Sequence, residues 1–207
     1  KELKANSKDV VEDYKVLIEP LGKNTAPAIA LSAFYIMKKL EKNGKDPVII
    51  VAPSDHLIKD EAAYKDAVSR AAELAKDGHI VTFGIKPTYP ETGYGYIESE
   101  GEDVKSFKEK PDANTAAKYL ESGNYYWNSG MFCFRADVFL TELAMYAPDI
   151  YNASKNAFDS RITDENKAKI RLSDMLNIPD DSIDYAVMEK SALVKVVPCD
   201  IGWSDLG

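Results

Sequence analysis

Across 207 residues the chain carries two cysteines, two histidines and no block of consecutive basic side chains, and its formal net charge is −8. Each shortage narrows what the protein can be. Two cysteines are too few for a disulfide-stapled scaffold, and Cys133 and Cys199 lack the paired spacing of a zinc site. Cys133 lies inside the apolar run Met131-Phe132-Cys133-Phe134 and reads as a reduced core thiol; nothing in the pattern demands a bond to Cys199. Without a concentrated basic face there is no electrostatic footprint for a nucleic-acid backbone, so nucleic acid is not an expected partner. A small phosphorylated ligand, which needs only a few donors and a metal, stays compatible with the acidic balance. No apolar stretch reaches the length that crosses a bilayer and no signal-peptide pattern opens the chain, so no membrane partner is expected and the cytoplasm is the expected location. His56 and His79 do not form a metal-binding pair; His79 reads as a surface turn residue and His56 as a support for its loop. There is no nucleophile elbow with a Ser-His-Asp order, no Walker A loop and no Gly-rich dinucleotide fingerprint.

What is present is an ordinary globular mixture, 45% apolar and 29% charged, long enough for one sizeable domain. Strand and helix signals alternate in the first half. A short apolar run at 16–18 is followed by a helix over 26–40 with Pro27 in its first turn. Val48-Ile49-Ile50-Val51 is a continuous apolar run, the signature of a strand buried on both faces. The spacing of Ala63, Ala67, Ala71 and Leu74 predicts a helix over 62–76 that stops before Asp77-Gly78, and 80–85 reads as the next strand. That alternation predicts right-handed crossovers and a mostly parallel sheet. In the second half, 94–99 and 104–108 read as strands joined by Gly101-Glu102-Asp103. Helices are expected over 112–122, 136–145 and 182–190, strands over 131–135 and 193–197, and solvated helices across the charged stretch 149–174.

Ligands of open α/β sheets bind beyond the carboxyl ends of the strands, and the segments there are informative. Pro53-Ser54-Asp55-His56 follows the apolar strand, and Cys199-Asp200-Ile201-Gly202-Trp203-Ser204-Asp205-Leu206-Gly207 follows the last one. Asp55 and one of the late aspartates could converge on a hard cation such as Mg²⁺, although each alone also suits a cap or a turn. Thr92-Gly93-Tyr94-Gly95-Tyr96 could bring backbone close to a sugar or phosphate, or simply turn. Phe107-Lys108-Glu109-Lys110-Pro111 offers a carboxylate for hydroxyls and an ammonium for phosphate, or a solvated charge run. Tyr125-Tyr126-Trp127-Asn128 sets an amide beside aromatic faces, which suits carbohydrate or a core edge.

Taken together these segments resemble bacterial mannose-1-phosphate guanylyltransferases, a branch of the sugar-1-phosphate nucleotidyltransferases. The resemblance spans nearly the whole chain. It rests on Glu19-Pro20 with Asn24-Thr25-Ala26-Pro27, Pro53-Ser54-Asp55-His56, Gly84-Ile85 with Pro87, and Thr92-Gly93-Tyr94-Gly95-Tyr96-Ile97. It continues through Phe107-Lys108-Glu109-Lys110-Pro111, Trp127-Asn128-Ser129-Gly130-Met131-Phe132, Ser182-Ile183-Asp184-Tyr185-Ala186-Val187-Met188-Glu189 and Gly202-Trp203-Ser204-Asp205-Leu206-Gly207. The resemblance implies a single catalytic domain over 1–207 with an α/β nucleotide-diphospho-sugar transferase fold, Rossmann-like, with a doubly wound mixed sheet. It implies Mg²⁺-dependent transfer from GTP to mannose 1-phosphate, giving GDP-mannose and pyrophosphate, and leaves room for a homodimer. By the same resemblance Asp55 and Asp205 are the metal carboxylates and Lys110 holds the sugar phosphate. Gly95, Glu109 and Asn128 contact mannose hydroxyls, and Glu19, Asn24, Thr25 and Ala26 meet guanine and its ribose. Asp184 belongs to the pattern without an assigned role.

The family's N-terminal Gly-rich loop and the Pro-Lys signature after it have no match among these residues. The expectation is therefore a domain cut at both ends, with little or no transferase activity by itself. Family members can carry an isomerase domain after the transferase. The alternatives are another sugar-1-phosphate nucleotidyltransferase, or a regulatory module that binds nucleotide sugars without turnover. Glu19 favours guanine, since a carboxylate accepts from N1 and N2 of that base.

Overall fold

The computed structural model describes residues 15–40, 47–164 and 167–206. Gly207, the last residue of the final motif, lies outside them. Six strands form the main sheet: β2 (Val48–Val51), β4 (Ile80–Ile85), β5 (Tyr96–Glu100), β6 (Asp103–Lys108), β7 (Tyr125–Arg135) and β10 (Val194–Cys199), in the order β2-β7-β4-β10-β6-β5. β1 (Val16–Ile18) stands outside this sheet. It pairs in parallel with β9 (Lys167–Lys169), which pairs antiparallel with β8 (Ile162–Asp164). A two-stranded ribbon joins β3 (His56–Leu57) to β11 (Ser204–Asp205).

Helix boundaries follow local chemistry. In α1 (Thr25–Leu40), Pro27 sits in the first turn, where its missing N–H costs no helical bond, and Lys38 and Lys39 face the negative end of the helix dipole. The Asp60 carboxylate caps α2 (Glu61–Lys76) by accepting from the Ala63 N–H at 2.9 Å, and Asp112 caps α3 (Ala113–Ser122) through the Asn114 and Thr115 N–H groups. Two helices follow β7 almost without a break, α4 (Ala136–Tyr146) and α5 (Pro148–Asp159), the second opening on a proline. Further on come the short α6 (Leu172–Met175) and a π-helical turn at Asp184–Met188.

The sheet is covered on both faces, as the period-2 alternation of its side chains requires. Ile80, Phe132, Phe134 and Val196 pack on one side with α1, α4 and the π-turn; Val81, Phe83, Cys133 and Val197 pack on the other with α2. Each such fully buried apolar side chain contributes on the order of 1.5–3 kcal/mol. A third cluster, Leu31, Ala157, Phe158, Ile170, Met175 and Ile178, ties the small β1-β9-β8 sheet to α1 and α5.

Four expectations are corrected. The sheet is mixed, as the family resemblance implies, and not mostly parallel as the strand–helix alternation predicts: β7 runs antiparallel between β2 and β4, and β10–β4 is its parallel pair. β2 is half-buried, with Ile50 44% exposed, because it lies at the end of the strand order; β4 is the strand buried throughout. The charged stretch after α5 holds the β8–β9 hairpin before α6, so it is not helical throughout. Tyr125–Asn128 belong to β7 itself, which runs unbroken through to Arg135.

Candidate active site

The strand registers gather the motif loops at one edge of the sheet. Cys199 of β10 lies opposite Ile85 of β4, Ile85 opposite Trp127 of β7, Trp127 opposite Tyr96 of β5, and Tyr96 opposite Lys108 of β6. The loops leaving these positions carry Tyr94, Gly95, Glu109, Lys110 and the 200–206 segment.

One corner is acidic. Asp205 pairs with His56 in the β3–β11 ribbon, and the Leu206 N–H donates to the Asp55 carbonyl at 3.2 Å. These backbone bonds bring Asp55, His56 and Asp205 together with one ligand-type atom from each within 4.8 Å of the others. Trp203 buttresses the corner: its indole N–H donates to His56 Nδ1 at 3.1 Å, and its ring stands edge-on to His56 and Tyr94, with centroids 5.2 and 5.3 Å away. Gly202 turns the chain into this position at φ +60°, where a Cβ would lie 2.8 Å from Lys59 Cβ.

The second corner is built around Asn128. The pairing of β4 with β7 shifts register between Thr82 and Gly84, with Ser129-Gly130-Met131 as the bulged stretch. At this irregularity the Asn128 carbonyl accepts from the Thr82 hydroxyl at 2.9 Å and from the Gly130 N–H at 3.3 Å, and its NH₂ donates to Asp184 Oδ1 at 2.9 Å. The Asn128 backbone N–H donates to the Gly95 carbonyl at 2.8 Å. A Cβ on Gly95 would collide with Glu109 Oε2 and press on Asn128 Cβ at 3.3 Å, so these three groups occupy one small space. Burial raises the pKa values of Glu109 and Asp184 above the usual carboxylate range, and for Glu109 the Asp184 charge adds to it. Lys110 holds a left-handed backbone at φ +47°, and its Nζ lies 3.7 Å from Glu109 Oε1.

The third corner is the start of α1. Asn24, also left-handed at φ +66°, accepts the Thr25 N–H through its side chain, and Thr25 Oγ1 accepts the Ile183 N–H at 2.9 Å. The buried Ala26 donates its N–H to the Asp181 carbonyl. Glu19 precedes this turn; burial raises its carboxyl pKa, and among the described residues its buried Oε1 has no hydrogen-bond partner.

The corners are joined. Residues 181–184 link Thr25 and Ala26 to Asn128, while Gly130 approaches Pro53 and His56.

The nucleotidyl transferase family model matches residues 1–207. The chain belongs to the nucleotidyl transferase family. It is 50% identical over 201 residues to the xanthan biosynthesis protein XanB of Xanthomonas campestris, covering 95% of this chain and 42% of that protein. It is 48% identical over 198 residues to the mannose-1-phosphate guanylyltransferase RfbM of Salmonella typhimurium, covering 93% of this chain and 41% of that one. The chain thus spans less than half the length of these relatives. Among solved structures, a Helicobacter pylori protein described as mannose-6-phosphate isomerase superposes with a TM-score of 0.84 at 44% identity, over 91% of this chain and 74% of that one.

This nucleotidyl transferase chain brings together the residues singled out in its sequence and adds others. Asp184 acquires a physical role as the acceptor that orients Asn128. Thr82 and Trp203 join the site, and Glu189 reaches it by accepting the Glu109 N–H at 3.4 Å. Trp203 stands inside a recognisable motif and could have been singled out; Thr82 lies mid-strand in an apolar run and carries no such signal. Among the described residues no helix is long and apolar enough to cross a membrane.

Proposed function

We propose that this chain carries the catalytic site for nucleotidyl transfer from GTP to mannose 1-phosphate, with GDP-mannose and pyrophosphate as products, and that 1–207 forms one catalytic domain. The observation that carries the reading is the convergence of Asp55 and Asp205, from separate segments of the chain, with Gly130 connecting their corner to Asn128 and the Gly95–Glu109 space. A metal corner next to a pocket of hydroxyl-binding groups is what joining a phosphate to a sugar phosphate requires. RfbM, at 48% identity, bears the name of that activity.

The donor chemistry fits a hard cation. Two carboxylates supply oxygen ligands, and waters and phosphate oxygens complete such a shell. We assign the ion as Mg²⁺, held by Asp55 and Asp205. When bound it supplies charge neutralisation on phosphate oxygens.

In the reaction a phosphate oxygen of mannose 1-phosphate attacks the α-phosphorus of GTP. A new P–O bond forms, the bond to the β-phosphate oxygen breaks, and pyrophosphate leaves with its electron pair. No protein nucleophile is needed, so the chain's part is positioning and electrostatics. Lys110 faces the sugar phosphate. Glu109 and Asn128 receive and donate hydrogen bonds to mannose hydroxyls, and Gly95 leaves room for them. Glu19 accepts from guanine N1 and N2, while Asn24, Thr25 and Ala26 meet the base and ribose. A cytoplasmic location accompanies this reading.

Pyrophosphate release tests it, with each nucleoside triphosphate paired with mannose 1-phosphate and glucose 1-phosphate, with and without Mg²⁺, using this chain and a protein of its relatives' length that contains it. Release confined to GTP, mannose 1-phosphate and Mg²⁺ is the expected result for the longer protein, with weak or no release from this chain by itself. Release with another pair moves the substrate assignment. Conversion of mannose 6-phosphate without pyrophosphate release would replace this reading with the activity named for the Helicobacter protein.

A further inference from the structure

The acidic corner holds three groups of ligand type, and two of them are carboxylates. The third, His56, ought to make the site attractive to zinc and other imidazole-seeking ions, which outcompete Mg²⁺ wherever nitrogen ligands are free. Its hydrogen bonding removes that option. An indole N–H has no lone pair and can only donate, so the 3.1 Å contact from Trp203 makes His56 Nδ1 the acceptor. In the neutral ring the single proton then sits on Nε2. Whichever ring nitrogen faces Asp55 and Asp205, neither has a lone pair to give to a metal.

We propose that Trp203 sets the metal preference of this site by locking His56 out of the ligand set, leaving a two-carboxylate site for hard divalent cations. The proposal rests on the reading of Asp55 and Asp205 as metal ligands. The lock is held from several directions. The indole stands edge-on to both His56 and Tyr94. Gly202 sets its approach through a left-handed turn packed on Lys59, and the His56–Asp205 pairing fixes the two loops in register. His56 then works as an N–H donor and loop support.

The test begins on the wild-type chain without metal. Nitrogen-15 NMR of the imidazoles, simplified by there being two histidines in all, should show His56 protonated on Nε2 with Nδ1 as a hydrogen-bond acceptor. Protonation on Nδ1 overturns the lock. The second arm compares Zn²⁺ and Co²⁺ with Mn²⁺ in binding titrations of wild type and Trp203→Phe, which keeps an aromatic edge and loses the donor. The variant should gain about tenfold or more in Zn²⁺ and Co²⁺ affinity relative to Mn²⁺, the scale of an outer-shell partner's effect. The Co²⁺ absorption spectrum should acquire nitrogen ligation, and adding His56→Gln should abolish the gain. Unchanged selectivity in Trp203→Phe sinks the proposal. A wild-type chain that fails to bind Mn²⁺, or binding that Asp205→Asn leaves intact, overturns the metal reading itself; the metal-free NMR result distinguishes that failure from a failure of the lock.

Discussion

The side-chain amide of Asn128 donates to the Asp184 carboxylate at 2.9 Å across 56 positions of chain, and the same amide's carbonyl is held by the Thr82 hydroxyl. Both ends of the amide are thereby fixed: its O faces the sheet and its N faces the π-turn. A side chain pinned this way keeps its orientation before any sugar arrives, and that is worth most when binding must also align a reacting phosphate.

The bond separates two substitutions. Asp184→Ala leaves a partly buried amide donor unpaired and should cost about 1–3 kcal/mol of stability in denaturant unfolding. Asp184→Asn retains an oxygen acceptor and removes a charge that burial disfavours, so it should be near neutral or stabilising at pH 7. The pH profile has a definite sign. The folded pKa of Asp184 is raised above its ordinary value of 3.8, so the folded state holds the proton more tightly than the unfolded one. Wild type therefore loses stability as pH rises from about 3.8 through the folded pKa, and Asp184→Asn should lose less over that window. An equal loss in both proteins would remove Asp184 as the source.

How much of this was legible in the sequence depends on the range of the interaction concerned. The α2 and α3 helices could be read because their signals are local: an alanine stripe ending at Asp77-Gly78 in one, an Asp112 cap in the other. The β8–β9 hairpin could not, since Ile162, Thr163 and Asp164 are all exposed and Ala168 is the buried member of β9. Three-residue strands are too short for a periodic signal, and the pairing of β9 with β1 joins segments about 150 positions apart. β7 misled for a related reason. Its aromatic half resembles a loop cluster until the register with β4 and β5 is known. The candidate site residues could be named from ordered motifs, but the partners that orient them, Thr82 and Asp184 for Asn128 and Trp203 for His56, depend on the bulge in β7 and the β3–β11 ribbon.

Gly95→Ala tests the shared space of the second corner. The added methyl meets Glu109 Oε2 and Asn128 Cβ, and the flexible carboxylate is the group that gives way. The expected result is about a tenfold or greater fall in kcat/KM for mannose 1-phosphate, consistent with the cost of misplacing a positioning group. KM for GTP should change less than about twofold, since uniform effects on both substrates would indicate a general structural defect. Steady-state kinetics with each substrate varied in turn distinguishes the two.

Asp205→Asn tests the metal corner through turnover. The amide preserves shape and the β3–β11 pairing, which runs through backbone groups, yet removes a negative ligand. Divalent-ion-dependent turnover should fall by about 100-fold or more, the scale seen when one group that stabilises transition-state charge is deleted. Thermal unfolding of the same variant separates a loss of fold from a loss of ligand. Near-normal rates at saturating Mg²⁺ would exclude Asp205 as a ligand.

Glu19 presents the opposite balance between folding and function. The residue is half-buried, its pKa is raised by that burial alone, and its buried Oε1 has no partner among the described residues. A charged acceptor left this way destabilises the folded chain unless a ligand donates to it. Glu19→Gln removes the charge and should raise stability at pH 7. The sign follows from the raised pKa: wild type loses stability as pH climbs from the ordinary value of 4.5 through the folded one, so the variant's advantage should be full above that window and fade below about 4.5. Function should move the other way. A carboxylate bonding guanine N1 and N2 contributes about 1.5–3 kcal/mol as a charged acceptor, so discrimination between GTP and ATP should drop by roughly 10- to 100-fold in Glu19→Gln. Paired measurements decide the matter: unfolding midpoints across pH, and kcat/KM for the two nucleotides. A variant that is more stable yet as selective as wild type would leave Glu19 a burial cost without a ligand, and guanine recognition would have to be sought in Asn24, Thr25 and Ala26.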